Sequence, residues 1–289
     1  MHPWTKGKDS TMETTEAAPV RELSVAMRRL LVAASVLVFL AGFQLFILTE
    51  QTEHYFAWTI QPPLTAAFLG AGYWSSFLLE ILASRERIWA RARIAVPAVL
   101  AFTTLTLVAT LVHFDRFHFG STEIFARVAA WFWLMIYLVV PPIMLVLWIR
   151  QQRLLGRNPH RSASLPASMR VILVVQSAFM LAIGVALFIM PTIAQLLWPW
   201  KLTPLTSMAV GAWLIGVGVF AGHAAWENDF SRIKAGLVSY LAFGLLQLVG
   251  LGRFPSSLQW SQLVAWVYLF FMVTVLAVSL YGLASSKSH

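Results

Sequence analysis

The sequence predicts an all-α polytopic membrane protein: eight transmembrane helices arranged as two parallel four-helix repeats. Three observations predict it: an apolar excess, a one-sided distribution of basic residues and an internal duplication. Of 289 residues, 59% are hydrophobic and 11% charged, and the mean hydropathy is +0.73. Soluble domains carry about 45–50% apolar and about 25% charged residues. A bilayer-spanning helix takes about 20 apolar residues, so eight spans absorb the surplus. This composition excludes a soluble enzyme, a nucleic-acid binder and a disordered chain. The absence of cysteine removes disulfides, thiolate nucleophiles and Cys-based zinc or iron–sulfur sites.

The first apolar run, 30–48, follows a polar tail that is long and contains Asp9, Glu13, Glu16 and Glu22. Such a tail does not fit a signal-peptide leader, and no small-residue cleavage site closes the run, so it is expected to stay as a span. The second run, 64–83, opens on Pro63-Leu64-Thr65, and the third covers 94–112. The fourth, 128–149, contains Pro141-Pro142, and the fifth covers 171–190. The sixth, 205–226, opens on Pro204-Leu205-Thr206, and the last two cover 235–252 and 262–283. Each is bounded by charge, proline or aromatic clusters.

Seventeen of the 21 Lys and Arg residues fall in the two tails and the even-numbered connections. Only Arg116, Arg127, Lys201 and Arg253 lie in the alternate connections. The positive-inside rule then places both termini in the cytoplasm of a multi-pass protein of the plasma or bacterial inner membrane. The net charge of +9 is thus a sidedness signal and no sign of nucleic acid. Tryptophans near the span ends, Trp58, Trp131, Trp198, Trp200, Trp260 and Trp266 outside and Trp89, Trp148 and Trp226 inside, read as interfacial anchors.

The stretch Met27 to Ile47 recurs as Met169 to Ile189, with Met27, Arg28, Leu31, Val32, Ser35, Gly42, Leu45, Phe46 and Ile47 all repeated at a shift of 142. At a shift of 141, Pro63-Leu64-Thr65, Gly70, Glu86, Arg91 and Leu100-Ala101-Phe102 recur as Pro204-Leu205-Thr206, Gly211, Glu227, Arg232 and Leu241-Ala242-Phe243. Hydrophobic composition alone does not align Arg, Glu and Pro. Four spans per copy is an even number, so the copies enter the membrane in the same orientation, as parallel repeats related by an axis along its normal. The expected organisation is a polar cytoplasmic tail over 1–27, a first repeat over 28–150, a basic linker over 151–168, a second repeat over 169–284 and a short tail over 285–289. The order within a copy is an Arg, a helix with a late Gly, a Trp/Pro outer loop, a helix opening on PLT and a charged inner loop. This order resembles the four-helix membrane bundles of the DoxX-like group. The resemblance implies two such bundles fused, and it implies no activity, because members of that group differ in what they do.

The densest polar cluster is His113, Asp115 and His118 at the outer end of the third span, with Glu50, Glu53 and His54 in the preceding outer loop. Imidazole and carboxylate ligate metals and move protons. On one helix His113 and His118 sit about 140° apart, so a metal site needs the outer-loop residues to converge on them. Local capping pairs are the competing reading. Glu80 and His223 are the ionisable residues placed deepest in their spans, with Arg85 and Glu227 respectively as the nearby partners. The inner loops repeat Glu86, Arg91 and Arg93 as Glu227, Arg232 and Lys234, cations that suit either topology or an anionic lipid headgroup. Pro141-Pro142 removes two helix donors and is expected to kink or break its helix, lining a pocket or making a simple bend. Gln44, Gln176 and Gln247 read as interhelical hydrogen-bonding groups, and Gly70, Gly211, Gly216 and Gly218 as close-packing positions.

No phosphate loop, nucleophile elbow, HExxH or haem-attachment motif is present, and no cofactor is expected. Three functions fit. The first is a non-catalytic membrane protein that binds lipid or a hydrophobic small molecule, or serves another membrane protein as partner subunit. The second is a small-solute carrier or channel with its path between the repeats. The third is a metal or redox protein using the outer His/Asp cluster.

Overall fold

The computed structural model describes residues 19–286, so Lys6, Lys8, Asp9, Glu13, Glu16 and Lys287 lie outside the described residues. Eight long helices occupy the eight apolar runs. They are α1 (Val25–Phe46), α2 (Pro63–Arg85), α3 (Val96–Val112), α4 (Ile124–Arg153), α5 (Ala167–Ile189), α6 (Pro204–Glu227), α7 (Phe230–Arg253) and α8 (Leu263–Ser285). A short helical turn, Trp89–Ala92, leads into α3. The eight spans built on these helices are long and apolar enough to cross a membrane. Among the described residues there is no strand, and the only pairings of that kind are two isolated bridges, Val20 with Arg157 and Glu22 with Ile88. The chain is an all-α protein with the helices of a multi-pass membrane protein.

Local chemistry sets the helix ends. Ser24 Oγ accepts the Met27 N–H at the start of α1. Thr203 and Thr206 form a reciprocal capping box on α6, and Pro63 and Pro204 stand at first-turn positions, where no helical donor is lost. Asn228 adopts a left-handed conformation with φ 47°. That conformation turns the chain sharply from α6 into α7.

Helix α1 lies along α2, and α5 lies along α6; α3 packs on α6, while α7 packs on α2; α4 covers α3, and α8 covers α7. The third long helix of each half therefore rests on the second long helix of the other, and the halves share one core. Burial follows this order: 72% of the apolar stretch of α2 and 78% of that of α6 are buried, against 22% for α4. Glycines set the tightest crossings. A Cβ on Gly70 would lie 2.6 Å from the Phe46 backbone nitrogen of α1, and one on Gly211 would lie 2.7 Å from the Gly184 carbonyl oxygen of α5.

One expectation is corrected. Trp58, Trp89, Trp198 and Trp200 are buried, because their connections fold back over the helix ends. Trp58 packs edge-on to Trp133 at 4.9 Å, and Trp198 packs likewise on Trp200 at 4.9 Å. The Trp200 indole donates to Thr65 Oγ1 at 2.9 Å. Trp131, Trp226, Trp260 and Trp266 are exposed, as anchors should be. Pro141 and Pro142 lie inside a continuous α4, so the helix is not broken there. Pro141 turns inward and Pro142 outward, and neither lines any cavity described below. A helix can continue through proline where local adjustment re-satisfies the freed carbonyls.

Candidate functional site

At the basic end, the inner polar residues divide into a buried network and exposed charges. Glu227, at the last turn of α6, is fully buried. Its Oε1 receives Arg93 Nε and its Oε2 receives Arg93 Nη2 at 2.8 Å, a bidentate pair across the two halves. Arg232 Nη1 adds a bond to Oε2 at 3.0 Å, and His223 Nε2 lies 3.2 Å from Oε1. Two guanidiniums and an imidazole thus surround one carboxylate, the compensation that a charge out of water requires. Arg93 also lies over the Trp226 ring at 5.0 Å. With Arg93 and Arg232 so committed, Arg91 and Lys234 are the exposed cations of the repeated pattern. Glu86, the counterpart of Glu227, forms no ion pair among the described residues; its carbonyl instead accepts Arg28 Nη2 at 3.1 Å.

The linker is sewn to this cluster at the α6–α7 corner. Asp229 caps α7 through the N–H groups of Ser231 and Arg232 and also accepts the Ser162 N–H at 2.6 Å. Asn228 Oδ1 accepts the Leu165 N–H, and Arg232 Nη2 donates to the Pro159 carbonyl. Burial works against the Asp229 charge. Bonds from the Ser231 hydroxyl and the backbone of Ser162, Ala163 and Arg232 outweigh it and hold the carboxyl below its ordinary range.

Glu80 does not pair with Arg85. Five residues on a helix turn about 140°, so Arg85 points into solvent while Glu80 is wholly enclosed. Its Oε1 accepts the Ser76 hydroxyl at 3.1 Å, and its Oε2 has no partner.

At the opposite end the outer cluster disperses. His54 pairs with Glu53 at 3.1 Å and lies 3.9 Å from Glu123. Asp115 pairs with its neighbour Arg116 at 3.1 Å, and Glu50 is exposed. His118 spends both ring nitrogens, one on the Phe56 carbonyl at 2.9 Å and one on Thr59 Oγ1 at 3.1 Å. Burial holds the His113 imidazole below its ordinary value, against the opposing charge of Asp115. Among the described residues, no three His, Asp or Glu side chains come close enough to share a metal ion.

An open recess of about 450 Å³ lies beside this dispersed cluster, with Thr59, His113, Arg116 and Thr203 in its lining, and two further features lie among the helices. A small cavity of about 40 Å³ lies where α2, α3, α6 and α7 meet. Its hydroxyls, Ser75, Ser76, Ser239 and Tyr240, all come from the α2–α7 seam, and α3 and α6 supply Phe102, Trp213 and Phe220. The second feature is a lateral groove between α5 and α8. Adjoining recesses of about 270 and 370 Å³ share Ile172 and Thr274, and a smaller one continues from Phe179 and Phe271 to Trp198. From Ser168 to Ile183 the row spans about 22 Å, more than half of the roughly 30 Å hydrocarbon thickness. Its walls are mostly apolar, with Ser168 and Tyr281 at one end and a neutral notch midway, where Gln176 donates to Thr274 Oγ1 at 3.0 Å and accepts the Tyr240 hydroxyl at 3.1 Å.

Gln176 and Gln247 act between helices, as their residue type suggests; Gln247 donates to the Phe68 carbonyl and accepts the Tyr268 hydroxyl. Thr274 and the serine wall of the cavity carried no sequence signal, since Ser and Thr recur throughout membrane helices. No protein-family model, curated protein or solved structure matches this chain.

Proposed function

We propose that this chain is a non-catalytic integral membrane protein that holds a membrane lipid, or a hydrophobic molecule of similar build, in the lateral groove between α5 and α8. The observation that carries this reading is the groove itself. It opens sideways at apolar depth, its α5 and α8 side chains Val171, Val175 and Phe270 are among the most exposed apolar residues, and the surrounding solvent at that depth is acyl chain. The neutral Gln176–Thr274 notch suits an ester or hydroxyl group better than a charge. At the basic end, Arg91 and Lys234 remain free to meet anionic headgroups, each worth about 1 kcal/mol near a membrane surface.

The same reading takes the chain as a tandem pair of four-helix units in parallel orientation, with both termini in the cytoplasm. The cavity at the helix junction supports this. Its six lining residues from the N-terminal half each meet, as a lining residue, the one 141 positions later: Ser75 answers to Gly216, Ser76 to Val217, Val99 to Tyr240 and Phe102 to Phe243. An axis relating the halves would produce this pairing.

Native mass spectrometry after mild delipidation tests the groove. The wild type is expected to keep a lipid-mass adduct that Val175→Trp and Thr274→Phe, which fill the groove, lose. Equal retention in all three, or none in the wild type, counts against the proposal.

A further inference from the structure

The open recess of about 450 Å³ beside the outer cluster is built from both halves, and lipid binding in the groove makes no use of it. Trp58, Thr59, His113 and Arg116 come from the first half, and the opening turn of α6, with Thr203 and Leu205, comes from the second. These wall residues carry donors that nothing else in the protein uses. Arg116 gives its Nε to Asp115, which leaves both terminal nitrogens free, and Asp115 stands outside the lining. In the first turn of α6 the capping box uses the N–H groups of Thr203 and Thr206, and the Ser207 N–H closes on the Thr203 carbonyl. The Leu205 N–H is left without a partner among the described residues. Trp58 is 3% exposed, yet its indole N–H also has no partner. Trp200, the other tryptophan at this junction of the halves, spends its N–H on Thr65 Oγ1 at 2.9 Å. An indole nitrogen can only donate, and a buried donor left unmade is costly. His113 adds a second buried ring nitrogen with no partner.

Charge points the same way. Basic residues crowd the other end of the molecule, where the positive-inside rule accounts for them; only Arg116, Arg127, Lys201 and Arg253 lie at this one. Of these four, Arg116 lines the recess, and Lys201 is exposed two positions before Thr203. The lining also includes the start of the 24-residue α6, the positive end of its dipole.

A guanidinium, unspent N–H donors and a helix N-terminus together suit an oxyanion. Pro204 and Leu205 beside Trp58 offer apolar contact to the body that carries it, and the volume lies within the roughly 300–1,000 Å³ of small-molecule sites. We propose that this recess binds a small organic anion through its carboxylate or phosphate group, with Arg116 as the charge partner and the Leu205 and Trp58 N–H groups as neutral donors. Such a group arrives either on a dissolved solute or on the headgroup of a phospholipid in the leaflet at this end.

The test is calorimetric titration of the purified full chain in detergent with sodium benzoate, sodium phosphate and dihexanoyl phosphatidylglycerol in turn, at constant ionic strength. At least one is expected to bind saturably at one site per chain. Binding of benzoate or phosphate assigns the anion to a solute, and binding of the phosphatidylglycerol alone assigns it to a headgroup; either result supports the site. Arg116→Gln, a change at an exposed position, should weaken binding at least tenfold, and Trp58→Phe severalfold. Arg127→Gln, which removes one charge at the same end but outside the lining, should leave it unchanged. Absence of saturable binding for all three probes in the wild type overturns the proposal. So does binding that survives Arg116→Gln, or that falls equally in Arg127→Gln, since charge at this end would then act without a site. Thr274→Phe, which fills the lateral groove, should leave this binding intact, so failure here and failure of the groove reading are told apart.

Discussion

The two ends of the molecule handle similar residues in opposite ways. At the basic end, one carboxylate, Glu227, is enclosed by Arg93, Arg232 and His223, and the Arg93 bond crosses between the halves. At the other end, Glu53–His54 and Asp115–Arg116 are local pairs, and both members of the second are 71% exposed. The second place groups histidines and acids as a ligand set would, yet the structural consequence is larger at the first. A buried charge is destabilising unless each partner is in position, whereas water serves an exposed pair as well as its partner does. At that end the halves are tied by the Trp200 indole on Thr65 Oγ1 and by a lone cation, Arg253, which donates to the Phe46 carbonyl and to Thr49 Oγ1 at 3.2 Å.

The comparison breaks most visibly at Glu227. Glu227→Gln leaves two buried guanidiniums facing a neutral amide, and the expected loss is about 3–5 kcal/mol, read by denaturant or thermal unfolding in detergent. Arg93→Gln should cost less, since Arg232 and His223 still hold the carboxylate. If Glu227→Gln costs under about 1 kcal/mol, water reaches this cluster and the contrast between the ends is lost.

Asp229 sharpens the comparison, because it is a buried acid held by neutral donors instead of cations. Asp229→Asn keeps a helix cap but loses the charge-assisted bonds, for about 1 kcal/mol at neutral pH. The sign of the pH effect follows from its lowered folded-state value. The Asp229 contribution is complete above the unfolded carboxylate range, near about 4, and fades as pH falls through the lower folded value. The stability gap between wild type and Asp229→Asn should therefore be constant at neutral pH and close in acid. A gap that widens in acid would contradict the assignment.

What the sequence disclosed divides along the same line. Hydropathy located all eight helices, because length and apolarity are properties of each segment alone. The i, i+4 spacing disclosed His223 with Glu227, because one helix carries both. Arg93 and Glu227 stand 134 positions apart, and no local spacing announces that the turn before α3 will reach the end of α6. The interleaving of α3 with α6 and α7 with α2 is likewise a tertiary result. Glu80 was legible as an intramembrane acid, but its isolation from Arg85 emerged only from the helix faces. The groove rests on how loosely α8 meets α5, a matter of side-chain fit that composition does not encode.

The smallest effect belongs to the outer pair. Asp115 and Arg116 are adjacent in a single helical turn, Phe114–Arg116, and their 3.1 Å contact forms without bringing distant parts of the chain together. Breaking it with Asp115→Asn strands no buried charge and exposes no apolar surface. Exposed pairs are worth about 0–1 kcal/mol and are screened by salt, so the expected change is under about 0.5 kcal/mol and vanishes at high ionic strength. Unfolding curves for wild type and Asp115→Asn at low and high salt check this. A loss comparable to that of Glu227→Gln would mean that Asp115 has a buried partner, and the dispersed geometry of the outer cluster would then be wrong for the protein in its membrane.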